Sequence, residues 1–123
     1  MDTRSLVVVI DDDESVRESL PGLLRECRFA VRAFSSAEEF LASDCIEHTR
    51  CLILDIVMPR MTGPDLQREL RQRRQETPII FITADRDEAL SRRLLKRGAV
   101  ACLFKPISIV DLLTSIKIAL RDS

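Results

Sequence analysis

The 123-residue chain lacks several features that common functional classes require. It has no run of about 18 apolar residues, so the pattern gives no membrane-spanning helix. The opening stretch, MDTRSLVVVIDDD, holds only a brief apolar run that ends in acids and has no cleavage region of a secretory signal. A cytoplasmic location is expected on that basis. There is one histidine, His48, and four cysteines, Cys27, Cys45, Cys51 and Cys102, none in a C-x-x-C pair. That excludes the usual zinc spacings and predicts four reduced thiols, mostly buried as small apolar side chains. No G-x-G-x-x-G and no Walker loop is present, so a nucleotide enzyme has no support. Neither sign of charge is in excess: 19 basic and 20 acidic residues leave a formal charge of −1. Direct nucleic-acid binding by this segment and attachment to an anionic membrane are therefore not expected. Repeats, low-complexity tracts and linkers are also missing. With 46% hydrophobic residues, one compact domain over 1–123 is expected.

What is present is an alternation. Short apolar runs at 6–10, 29–34, 51–54, 78–82 and 101–104 are rich in Val and Ile and near-continuous, as strands buried on both faces should be. The run at 29–34 alternates more, which suits a sheet edge. Between them lie segments of helical period at about 14–28, 36–42, 63–74, 85–96 and 110–121. The first carries Val16, Leu20, Leu23, Leu24 and Cys27 on one face, with Pro21 inside it to kink it or remove a hydrogen bond. Ser35 and Glu38 have capping-box spacing for the second. Gly98 is a stop signal for the fourth. The fifth has Leu112, Leu113, Ile116 and Leu120 as its stripe. Strands alternating with helices predict an α/β fold with a doubly wound five-stranded parallel sheet and right-handed crossovers.

In such sheets ligands bind beyond the carboxyl ends of the strands. The residues that follow the runs are therefore the candidates. Run one delivers Asp11 and Asp12, run three Asp55, run four Thr83 and run five Lys105, followed by Pro106. Each has a plain alternative, since acids and hydroxyls after strands often cap helices, as Asp13 or Glu14 would for the first helix. Convergence of four strand ends on one edge argues for chemistry instead. Clustered carboxylates repel, and a hard cation relieves the repulsion. Mg²⁺, with Mn²⁺ as the alternative, takes oxygen ligands and keeps several waters. Asp12 and Asp55 would ligate it directly and Asp11 through water, with a main-chain carbonyl such as that of Val57 completing the shell. Lys105 offers a compact positive charge and Thr83 a hydroxyl for phosphoryl oxygens. Phosphoryl transfer needs mainly positioning and charge stabilisation, which these parts supply.

The segments VVVIDDDES, LILDIVMPRMTG, IIFITAD and GAVACLFKP resemble the four motifs of bacterial response-regulator receiver domains. The stretch from Asp55 to Gly63, D-x-x-M-P-x-M-x-G, is the most specific, and the resemblance covers essentially the whole chain. It is strongest to FixJ-type two-component regulators. The resemblance implies a flavodoxin/CheY-like fold with strand order 2-1-3-4-5. It also implies Asp55 as the phosphoacceptor, Asp11 and Asp12 as the acidic pair, Thr83 as the switch hydroxyl and Lys105 as the phosphate-binding lysine. A cis Lys105–Pro106 bond is implied as well. The implied partners are a sensor histidine kinase with a phosphohistidine and a LuxR-type helix-turn-helix DNA-binding domain. The resemblance also implies a dimerisation or effector-docking face built on helix four, strand five and helix five, with a phosphorylation-dependent homodimer through the helix four, strand five face as one form. Arg92, Arg93, Lys96 and Arg97 make helix four basic, which is either a solvated face or part of that surface.

Two positions depart from the pattern. Cys102 stands where family members commonly carry Tyr or Phe as a rotating switch side chain, so less side-chain motion is expected to couple Thr83 outward. Val57 stands where a polar side chain is often found, so attacking water is expected to be less assisted and self-dephosphorylation slow, unless Asp85 offsets it. A stand-alone single-domain receiver is one alternative. A second is a haloacid-dehalogenase-type aspartyl-phosphate phosphatase, because Asp11-Asp12-Asp13 contains D-x-D. That family usually needs Gly-Thr next, where this chain has Glu14-Ser15, and it leaves Asp55 unexplained. A pseudo-receiver would have lost an acid, the threonine or the lysine, and none is lost.

Overall fold

The computed structural model describes residues 4–121. Its elements are β1 (Leu6–Ile10), α1 (Glu14–Glu26), β2 (Ala30–Phe34), α2 (Ala37–Leu41), a 3-10 turn (Ile46–His48), β3 (Thr49–Asp55), α3 (Gly63–Gln72), β4 (Ile79–Thr83), α4 (Glu88–Lys96), β5 (Ala101–Phe104) and α5 (Ile109–Arg121). The five strands form one sheet in the order β2-β1-β3-β4-β5, and every neighbouring pair is parallel. The predicted α/β class and strand order are both found, and β2 is at an edge as its alternation suggested.

The near-continuous apolar runs follow from a sheet covered on both sides. Successive strand residues point to opposite faces, so both faces need apolar side chains. Val8, Ile10, Leu52, Leu54 and Phe81 pack with Ala37 and Phe40 of α2, Leu66 and Leu70 of α3 and Leu94 of α4. Val7, Val9, Ile53, Ile80 and Ile82 pack with Leu20 and Leu24 of α1 and Leu112 and Ile116 of α5. Among the residues of α4, Leu94 alone is fully buried.

Several predicted boundaries and caps move. Helix α1 stops at Glu26, short of the expected 28, because Arg28 takes a left-handed φ of 73° and leaves the helical path. Helix α3 stops at Gln72 rather than 74, with Arg74 at φ 59°. Helix α4 begins at Glu88, not Asp85. Asp87 is its N-cap, accepting from the Leu90 N–H at 3.1 Å. The cap of α2 is Ser36, which accepts from the Glu39 N–H at 3.1 Å, while Glu39 accepts from the Ser35 N–H; the expected Ser35–Glu38 pair is one residue out of register. On α1, Leu23 and Cys27 are exposed rather than part of the buried stripe. The helix runs through Pro21, which is buried. All four thiols are free, with Cys45 and Cys51 buried, Cys102 half-buried and Cys27 exposed.

Candidate functional site

Strand ends place the candidate residues. Asp11 follows β1, Asp55 is the last residue of β3, Thr83 the last of β4, and Lys105 follows β5. The parallel register sets Asp55 beside Ile82 and Thr83 beside Phe104, so the four positions share one edge of the sheet. Asp11 is wholly buried, Thr83 is 2% exposed and Asp55 5% exposed, while Asp12 is exposed. One carboxylate oxygen each from Asp11, Asp12 and Asp55 lies within 4.8 Å of the others. Lys105 Nζ reaches Asp11 Oδ2 at 2.9 Å and Asp55 Oδ2 at 3.9 Å. The expected convergence of acids and lysine is therefore present in three dimensions.

The cluster is electrostatically tense. Burial and the adjoining Asp11 carboxylate push Asp55 up to about 7, against the pull of Lys105 and of the Val57 N–H. Burial works against the Lys105 charge, yet Asp11, Asp55 and Asp13 hold its ammonium above its ordinary value. Asp11 Oδ1 accepts the Asp13 N–H at 2.9 Å. Its Oδ2 is buried and has only the ion pair with Lys105, without an aligned hydrogen-bond donor among the described residues. The donor set fits a hard divalent cation: three carboxylates, close together, one with a buried oxygen held only by the Lys105 ion pair.

Thr83 is tied into the same edge. Its hydroxyl oxygen accepts the Asp85 N–H at 3.0 Å, and its carbonyl accepts the Lys105 N–H at 2.8 Å. The Lys105–Pro106 peptide is cis. Val57 is 63% exposed beside the buried Asp55. Cys102 pairs with Phe81 in register, one step back from the edge, and its thiol lies 3.9 Å from the Ser91 carbonyl of α4. Burial raises the Cys102 thiol above its ordinary value, with the Ser91 contact working the other way. Asp13 does not join the acids. It caps α1, accepting from the Ser15 hydroxyl and N–H, and those bonds lower its carboxyl. The D-x-D phosphatase reading loses its second carboxylate to that cap. His48 ends the 3-10 turn before β3, at the opposite edge.

Three supports were not legible in the sequence. Arg17 Nη1 donates to the Asp11 carbonyl at 2.9 Å from α1. The Arg86 guanidinium sits 5.1 Å from the centre of the Phe104 ring, next to Lys105. Gly63 closes the loop after β3, donating to the Ile56 carbonyl at 3.0 Å. A Cβ at Gly63 would lie 2.4 Å from the Asp55 carbonyl oxygen. Gly63 was visible as part of a motif, but its reason, close approach to the backbone of Asp55, needs the fold.

This fold and edge are those of a known class. The family described as the response regulator receiver domain matches residues 7–117. The chain is 39% identical over 120 residues to the response regulator protein TodT of Pseudomonas putida, covering 98% of this chain and 53% of that protein. It is 41% identical to nodulation protein W of Bradyrhizobium diazoefficiens, covering 93% of this chain and 50% of that protein. Among solved structures, response regulator StyR superimposes with a TM-score of 0.86 at 41% identity, over 97% of this chain and 60% of that one. The N-terminal part of FixJ superimposes with a TM-score of 0.84 at 34% identity, over 98% of this chain and 96% of that one. The chain belongs to the response regulator receiver domain family, as found in transcriptional regulators of two-component systems. It spans about half the length of the relatives TodT and nodulation protein W. No helix among the described residues is long and apolar enough to cross a membrane.

Proposed function

We propose that residues 1–123 act as a single receiver domain that accepts a phosphoryl group on Asp55 from a phosphohistidine of a sensor histidine kinase. The observation that carries this reading is the meeting of Asp11, Asp12 and Asp55 with Lys105 at one sheet edge. In the transfer, a carboxylate oxygen of Asp55 forms a P–O bond to phosphorus while the P–N bond of the donor breaks, its electron pair returning to the imidazole. The carboxylate must be ionised to attack. Lys105 favours that form and then faces the new phosphoryl oxygens. The Thr83 hydroxyl donates to one of those oxygens. Asp11, Asp12 and Asp55, with the Val57 carbonyl, would hold Mg²⁺ or Mn²⁺. When bound, the ion supplies the positive charge that lets an anionic phosphate approach a carboxylate.

Output then passes from Thr83 through β4, β5 and α4 to a LuxR-type DNA-binding domain in the whole protein, with a phosphorylation-dependent homodimer through the α4–β5 face. A cytoplasmic location goes with those partners. The test is incubation with Mg²⁺ and acetyl phosphate followed by intact-mass measurement. One phosphoryl adduct is expected, absent without the metal and absent in Asp55→Asn. An adduct that persists in Asp55→Asn would overturn the assignment. Turnover of a phosphate ester without a stable adduct would favour the phosphatase instead.

A further inference from the structure

A cavity is also present well away from Asp55. It lies at the opposite end of the sheet, where β4 begins and α3 and α4 end, and encloses about 590 Å³. Three arginines, Arg71, Arg74 and Arg97, line it, with Glu76 as the one acidic residue. Leu70, Val100 and Ala119 supply an apolar wall. We propose that this cavity is a binding site for a small organic carboxylate with an aliphatic body.

Two features make it a built site rather than a scatter of surface arginines. First, Arg71 is already held. Its Nη2 donates to the Arg97 carbonyl at the end of α4, just before Gly98, whose φ of 103° turns the chain out of the helix. A guanidinium fixed before the ligand arrives loses less freedom on binding. Second, Gln67 lines the cavity although it is only 7% exposed, and its side-chain amide has no hydrogen-bond partner among the described residues. That amide reaches the cavity's solvent, where a ligand oxygen would take up its free N–H.

The charge balance selects the ligand class. Arginine forks match a planar carboxylate with two parallel hydrogen bonds. The C-terminal ends of α3 and α4 both face this cavity, and their dipoles offset part of the guanidinium charge. What remains suits a monoanion better than a doubly charged phosphate. The apolar wall gives an alkyl chain a place that inorganic phosphate would leave empty.

The test uses the full chain titrated with sodium hexanoate, inorganic phosphate and hexylammonium, followed by amide chemical shifts. Hexanoate is expected to give saturable shifts centred on residues 67–79 and 97–100. Arg74→Gln and Gln67→Leu should each weaken binding by about tenfold while keeping an unchanged melting temperature. Asp55→Asn should bind hexanoate as the parent does, which separates this site from the acidic edge. Three results would each overturn the proposal: no saturation by hexanoate, equal binding by Arg74→Gln, or phosphate or hexylammonium binding as tightly as hexanoate.

Discussion

Asp55 is a carboxylate in a place that disfavours its charge. Its ionisation is pushed up to about 7 by burial and by Asp11, so in metal-free protein the fold prefers it protonated. The sign follows from linkage. A carboxyl raised above its unfolded value adds stability that is fully present below about pH 4 and is lost as pH rises through about 7. In chelator, Asp55→Asn is therefore expected to leave stability near pH 4 unchanged and to raise it at pH 8 by about 2–4 kcal/mol. Urea unfolding at the two pH values checks this; equal effects at both would contradict it. Val57 is the other residue whose character matters here. Its exposed isopropyl group offers water no hydrogen bond, so Val57→Asn should shorten the half-life of the phosphorylated form by several-fold, measured by loss of the mass adduct. An unchanged half-life would remove Val57 as the cause of slow hydrolysis.

At the scale of elements, the loop between β3 and α3 is where backbone approach is closest. A methyl group at Gly63 would meet the Asp55 carbonyl oxygen at 2.4 Å, with Phe81 and the Ile56 backbone also in the way. Since the obstructing atoms are mostly backbone, Gly63→Ala is expected to cost about 2 kcal/mol or more and to reduce acetyl-phosphate labelling. A variant as stable as the parent would show that the loop yields freely. Helix α4 fully buries only Leu94, with Leu90 packed partly beside it. Cys102 touches it through Ser91, whose own hydroxyl is buried without a hydrogen-bond partner among the described residues. We expect Cys102→Phe to change phosphorylation-linked dimerisation, read by sedimentation with and without acetyl phosphate. No change would mean that the cysteine is not a weakened switch.

The same elements show what was legible in advance. Strand positions and the two-sided sheet were readable because burial on both faces leaves continuous Val and Ile runs. Helix starts and stops were less readable, because Arg28 and Arg74 end helices by left-handed backbone angles that arginine does not advertise. The start of α4 was placed too early because the helical period extends back to Asp85, whereas the Asp85 N–H is bound by Thr83 and Asp87 is the cap. The acids, threonine and lysine were readable from their places after strands. Arg17, Arg86 and Gln67 were not, since each acts across the fold rather than along the chain.

For the whole molecule, the consequence of the acidic edge is that folding and cation binding are linked. The unfolded chain does not gather Asp11, Asp12 and Asp55, so Mg²⁺ held there as proposed would stabilise only the folded form. Saturating Mg²⁺ at pH 8 is expected to raise the melting temperature by several degrees. Asp12→Asn should weaken that rise, because it removes the one exposed carboxylate of the three while leaving the core intact. A melting temperature that ignores Mg²⁺ would argue that the edge holds no ion.

On the proposed function, Thr83 would set the form of the message that leaves Asp55. Its main chain is pinned by the Lys105 N–H, and its hydroxyl is held by the Asp85 N–H. A β-branched side chain so fixed has few torsional states open to it. What it passes on is accordingly a choice among a few discrete settings rather than a graded displacement. On the proposed reading the domain would work as a counter with very few digits, and gradation in response would come from how many molecules have switched, not from how far each one has moved.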